Sequence, residues 1–356
     1  MRCLVHSSDE PGSLEVHRSV GRDFSCHDME TPPEPHDVFP PVLELTRTIM
    51  FVIFAQTLIL TVGLCGCAST FTYIRRVSRE RCTCDQCLPV LLLIFCLNDT
   101  VALLNLPAQS VGLTIGHWIF GNTLCRLSLV FENGLCDTFS TFLILFLIFY
   151  LRAMGFRIAR YLRNRTNLLI AASLLLLTVL IHLPVWFAGS AHEIIVAEFF
   201  EENSSVISSR VRYFHCSAHI DDFFFLFFNV YMVIGTYIVP VVLGSILLYR
   251  TLFHATDECI RRLAAYSSIL LAFHLLCLCP QRLILPAYKI SGHELKYHLI
   301  ENLPNFCAAL KWIIYWSIYD CIHLNCQLNS NKSSIRLGER RLSELKKRNF
   351  PRERAL

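Results

Sequence analysis

Between Cys125 and Arg152 the chain runs for about seven helical turns in which only Arg126, Glu132 and Asp137 are charged. A helix that long and that apolar matches the thickness of a bilayer far better than the core of a soluble domain. The same pattern recurs along the chain. Residues 48–74 carry no charge at all, 88–114 carry only Asp99, and 223–249 are again uncharged. Residues 167–191 are interrupted only by His182 and Pro184, 263–288 contain Pro280, and 303–324 contain Lys311 and Asp320. With residues 126–151 these make seven spans, each long enough to cross with some tilt. Pro184, Pro240 and Pro280 lie inside spans, where neighbouring helices re-satisfy the freed carbonyls. In a soluble helix each would cost roughly 3 kcal/mol. The fold expected is an all-α membrane protein, a seven-transmembrane helix bundle.

Orientation follows from the basic residues. The segments after the first, third and fifth spans hold four, five and three Lys or Arg, and the stretch from Lys332 to Arg354 holds nine, together 21 of the 32 in the chain. Cytoplasmic loops collect Lys and Arg, so these segments face the cytosol and the N-terminus lies outside. The formal net charge of +4 is therefore a signal of topology. A nucleic-acid partner would need one basic face on a soluble domain, and none is present. Residues 1–40 are polar, include Pro32-Pro33-Glu34-Pro35, and lack the apolar core of a secretory signal, so they read as a disordered tail. The expected organisation is an extracellular tail over 1–43, a membrane domain over 44–326 and a basic cytoplasmic tail over 327–356.

Trp118, Phe120, Gly121 and Cys125 form a W-x-F-G-x-x-x-C pattern at the head of the third span. It resembles the first extracellular loop and third helix of rhodopsin-like (class A) G-protein-coupled receptors. Asp99 with Pro107, Pro240 with Tyr249, and Cys277-Leu278-Cys279-Pro280 are similar to that family's marks in helices two, five and six, with Leu278 where a Trp is usual. Ser317 to Leu324 resembles the S-x-x-N/D-P-x-x-Y end of helix seven, with Asp320 at the acid and Cys321 for the Pro. Tyr150 stands where D-R-Y places its Arg. Phe149-Tyr150, Arg75-Arg76 and Tyr319-Asp320-Cys321-Ile322-His323-Leu324-Asn325 resemble the G-protein-coupled receptor 160 subfamily.

The resemblance implies an orphan receptor of the plasma membrane that binds an extracellular ligand, peptide or cationic, and signals through a heterotrimeric G protein. It implies a bridge between Cys125 and Cys216, both extracellular in this topology and so exposed to oxidant. It also implies a ligand pocket at Glu132 and Leu278, a mid-membrane polar site where Asp99 meets Asp320, and a G-protein face at Tyr150 and Arg152. An atypical receptor-like protein without agonist-dependent coupling is the alternative, because Tyr150 cannot make an Arg-based lock. A transporter ranks below both, since an odd number of spans gives no inverted repeat.

Glu132 lies two turns below Cys125, and an acid within a span is a functional residue by default. It either captures a ligand cation or pairs within the protein. Asp137 is five residues on, about 140° around a regular helix, so the two acids should not share a face. Among the acceptor sequons, only Asn203-Ser-Ser falls in an extracellular loop, which makes Asn203 the expected glycosylation site. Most of the 17 cysteines fall inside spans as small apolar residues. Cys3 and Cys26 either pair or stay free. Cys82, Cys84 and Cys87 lack a second metal-binding half and read as thiols or acylation sites, so no metal is expected. No cofactor is expected either, and without G-x-S-x-G, H-E-x-x-H or Walker A the chain gives no ground for an enzyme.

Overall fold

The structure, a computed structural model, describes residues 36–38, 47–78, 87–155, 164–200, 207–218, 222–255, 257–284 and 300–349. Its helices are α1 (Arg47–Ser78), α2 (Cys87–Leu103), α3 (Leu106–Ile115), α4 (Gly121–Glu132), α5 (Leu135–Gly155), α6 (Asn164–Ala188), α7 (Asp222–Val233), α8 (Val239–His254), α9 (Glu258–Cys279) and α10 (Leu303–Asn349). The pairs α2/α3, α4/α5 and α7/α8 are each one rod with an interruption, so these ten helices form seven rods packed as a bundle. Six rods are long and apolar enough to cross a membrane. The seventh, α10, carries Lys311 and Asp320 in its first half and packs between α1 and α9.

The interruptions have local causes. Pro107 sits in the first turn of α3, where a residue without N–H is tolerated, so the ladder of α2 ends at Leu103 and restarts at Leu106. Ahead of Pro240 the chain widens into a π-helical turn, Ile234–Ile238, which accommodates the ring of the proline. Pro280 opens a second wide turn, Pro280–Ile284, directly after α9. A cap marks the cytoplasmic start of α9, where the Asp257 carboxylate accepts from the Cys259 N–H at 2.9 Å.

In lipid, apolar burial does not favour a helix neighbour over an acyl chain, so close packing and internal hydrogen bonds must hold the rods together. Gly66 and Gly63 show the packing, because a Cβ at Gly66 would lie 2.2 Å from the Trp312 ring and one at Gly63 would lie 3.0 Å from Ala309 Cα, so the missing side chains let α1 approach α10 closely. The inner core gathers Phe95, Leu143, Leu147, Leu270 and Tyr315. A separate outer cluster is built on Trp118, Leu129, Val185 and Met232 around the buried Cys125.

Two features depart from the expected organisation. Part of the tail read as disordered is paired: β1 (His36–Val38) runs parallel to β3 (Ile207–Ala218), which in turn pairs antiparallel with β2 (Gly189–Phe200). The helix does not end at residue 326: α10 is continuous over 47 residues, about 70 Å against a hydrocarbon thickness of roughly 30 Å, so its C-terminal part lies beyond the apolar layer.

Candidate ligand crevice and polar core

The outer end of the bundle is organised by the disulfide between Cys125 and Cys216, whose Cα atoms lie 5.6 Å apart across a sequence separation of 91. It fastens the β2–β3 hairpin to α4. Further bonds seat the hairpin: Trp118 N donates to Phe214 O at 2.8 Å, Arg126 Nε to Gly189 O at 3.0 Å, and Ala191 N to Asn122 Oδ1 at 3.1 Å. The indole of Trp118 is itself fixed by donating to Gly121 O at 2.8 Å.

Below that lid the third rod breaks. The expected continuous helix over 126–151 stops at Glu132 and restarts at Leu135, with Asn133 closing α4 and Gly134 at φ +85°. That left-handed conformation is unfavourable for residues with a Cβ, and a Cβ at Gly134 would also stand 2.2 Å from Nη2 of Arg282. The break leaves two carbonyls outside the helical ladder. The wide turn after α9 supplies their donors: Gln281 Nε2 bonds Glu132 O at 3.1 Å, and Arg282 Nη2 bonds Asn133 O at 2.9 Å. Two interrupted helices are thereby joined at their interruptions.

A polar crevice of about 20 Å³ lies at this junction, lined by Glu132, Asp137, Gln281, Glu301, Gln109 and Asn305 among others. That is room for about one water-sized group. Glu132 and Asp137 border the same cavity, contrary to the helical-phase expectation, because the break at Asn133 and Gly134 resets the phase between them. The Glu132 carboxylate accepts from Gln109 Nε2 at 3.3 Å and Ser128 Oγ at 3.1 Å, both neutral donors. Leu278, expected in the pocket, is 1% exposed and is not among its lining residues. Gln281, one turn on, takes that place.

Deeper in the bundle, the pairing expected between Asp99 and Asp320 is absent. Asp99 instead meets Lys311 at 2.7 Å and accepts from the Tyr315 hydroxyl at 2.7 Å. Lys311 also donates to Ser140 Oγ at 3.1 Å, and Asn98 Nδ2 donates to Ser140 Oγ and to Cys136 O, both at 2.9 Å. Asp99 and Lys311 are each 1% exposed. The reason for the difference is helical phase: Asp320 follows Lys311 by nine residues, about half a revolution and roughly 13 Å along α10. With Lys311 turned to Asp99, Asp320 faces α1, where the Tyr73 hydroxyl donates to it.

At the cytoplasmic end Tyr150 is 3% exposed, packed beside Phe146 and bordering a small void with Val90, Leu91 and Asn167. Its aromatic ring fills space between rods, so it offers little surface to a G protein, whereas Arg152 is half-buried. Asn203, Cys3, Cys26, Cys82 and Cys84 lie outside the described residues, and Cys87 is described only as the backbone start of α2. Sequence reasoning passed over Gln281, Arg282 and the partner of Lys311. A cation inside a span signals an acid opposite it, and Asn-Gly within an apolar run signals a turn.

No family model matches the chain. It is 24% identical over 323 residues to a probable G-protein coupled receptor, C06G4.5, of Caenorhabditis elegans, covering 84% of this chain and 72% of that protein. It is also 30% identical over 81 residues to neuropeptide Y receptor type 6 of Oryctolagus cuniculus, covering 22% of this chain and 21% of that one. Bundle, bridge and relatives together support a G-protein coupled receptor. Both relatives are named as receptors, one of them as a probable one. In this chain the lid, the break in the third rod and the acidic crevice lie together at the outer end of the bundle.

Proposed function

We propose that the chain is a rhodopsin-like receptor of the plasma membrane which takes a cationic group of an extracellular ligand into the crevice at Glu132 and signals through a heterotrimeric G protein. One observation carries the reading. Of the acids along the polar interior, Asp99 holds Lys311 and Asp137 shares the space around Gly134 with Arg282, while Glu132 accepts from the neutral donors Gln109 and Ser128 and has a second acid, Glu301, on the same crevice. A carboxylate shielded from water and lacking a counter-charge is a natural receiver for an ammonium or guanidinium. A basic peptide is the ligand class favoured, and the match to a neuropeptide Y receptor supports it.

The test is a panel of basic peptides applied to cells expressing the chain and read by several G-protein reporters. The proposal expects at least one agonist whose effect depends on Glu132. The second reading, a receptor-like protein without agonist-dependent coupling, is favoured by the burial of Tyr150 at the position of the family's Arg. It expects every reporter to stay at baseline while a peptide still binds the surface.

A further inference from the structure

The lid carries a pair of histidines that lies outside the crevice. His192 on β2 is directly opposite His215 on β3, in a register unbroken from Gly189 to Ile195. Residues so opposed share one face of the sheet, with Cβ atoms about 4.5–5.5 Å apart. The disulfide fixes which face that is. Cys216 turns toward Cys125 on α4, and Ala191, Phe214 and Ala218, on the same side of the pleat, pack into the outer cluster with it. Successive side chains alternate, so His192 and His215 stand on the other face, with His215 exposed and His192 half-buried. Ser190, two residues back on that face, shares a hydrogen bond between its hydroxyl and Nε2 of His192. Arg212 and Glu193 pair with each other at 3.0 Å on the side of Cys216. His36 of β1 is registered with Ser209, six residues or about 20 Å along β3 from His215.

Independently of what enters the crevice, we infer that His192 and His215 together bind a divalent transition-metal ion such as zinc, each through one imidazole nitrogen, with water completing the coordination. Zn²⁺ takes imidazole nitrogens at about 2.0–2.1 Å, so two of them at a tetrahedral angle lie about 3.3 Å apart. Rings on directly opposed positions reach that separation by rotation about their side-chain torsions. Imidazole suits Zn²⁺, Cu²⁺ and Ni²⁺, whereas Mg²⁺ and Ca²⁺ prefer oxygen donors. When Nε2–H of His192 donates to the Ser190 oxygen, the ring offers Nδ1 to the metal, and Ser190 serves as the orienting partner. The two histidines are 23 residues apart in sequence, so no metal-binding spacing announces them, and strand register alone brings them together. His215 adjoins Cys216, so the ion ties β2 to β3 beside the bridge that ties the hairpin to α4. A stiffer lid is the consequence.

The test uses the full chain in lipid nanodiscs, with ZnCl₂ as the probe and MgCl₂ at the same concentrations as reference. Two quantities are read: amide hydrogen exchange over residues 189–200 and 207–218, and the thermal unfolding midpoint. Zn²⁺ should slow exchange in the hairpin saturably and raise the midpoint, and Mg²⁺ should do neither. His192→Ala and His215→Ala should each raise the half-saturating Zn²⁺ concentration by more than about 10-fold, because loss of even an outer-shell partner costs a metal site that much. Without metal each variant should melt as the wild type does, and His192→Gln and His215→Gln take the place of any alanine variant that melts early. A wild type that Zn²⁺ leaves unchanged, or an equal response to Mg²⁺, would overturn the proposal. Stabilisation without protection of the hairpin, or a Zn²⁺ response that survives either substitution, would assign the metal to other side chains and overturn it equally.

Discussion

The outer crevice and the inner polar core are built from the same kinds of residue and differ in how their charges close. Around Asp99 the account is complete: an ammonium, a phenol and a hydroxyl network tie α2, α5 and α10 together with both ions nearly inaccessible. Around Glu132 it is open, with two neutral donors to the carboxylate and a second acid, Glu301, lining the same crevice. A buried charge that the protein neutralises itself is a structural element, and one that it leaves to neutral donors is a place for something else. Glu132 lies under a disulfide-fastened lid, and the proposed occupant is extracellular.

The contrast breaks most visibly in the inner core. Lys311→Met should strand a buried carboxylate and cost about 3–5 kcal/mol, and Asp99→Asn should strand the ammonium at similar cost. The double variant should recover much of the loss, because no uncompensated charge remains. Thermal melts of purified protein measure the cycle, and simple additivity would contradict the pair. Next in size is the lid: Cys125→Ser and Cys216→Ser should each cost roughly 2–5 kcal/mol and lower surface expression, with the double variant no worse than either alone. Additive losses would mean that the two thiols act separately. Smaller still is Gly134→Ala, which forces a Cβ into a left-handed conformation and against Arg282, for about 1–3 kcal/mol. An unchanged melting midpoint would show that the break in the third rod relaxes freely. Smallest is Gln109→Leu, which removes one neutral donor to Glu132 and should cost about 1 kcal/mol.

The spans were legible because charge is so costly in lipid that its absence over 20 residues or more is itself a signal. Arg75, Arg76 and the basic stretch after Lys332 fixed the orientation by the same physics. The Cys125–Cys216 bridge was legible only through the resemblance, since spacing does not specify pairing. What stayed hidden lay inside the spans. Asn133-Gly134 is flanked by apolar residues on both sides, so the periodicity runs through the break without showing it. Asp99 was matched to Asp320 from the family pattern, whereas the phase of α10 measured from Lys311 would have turned Asp320 away. Tyr150 was assigned to a surface by position alone, and an aromatic ring between apolar neighbours buries itself instead. Gln281 carries no charge, and nothing in a single sequence distinguishes an amide that plugs a broken helix from one that faces lipid headgroups.

The most direct test of the difference between the two regions is the potency of a basic agonist on Glu132→Gln, measured by dose–response curves normalised to surface expression. An open carboxylate that receives the ligand predicts a loss of roughly 10-fold to 1,000-fold in potency with surface level nearly unchanged, because the amide is close in shape and the protein loses no ion pair of its own. A fall in surface expression with an unshifted midpoint would contradict it, placing Glu132 with Asp99 among the charges the protein keeps for itself.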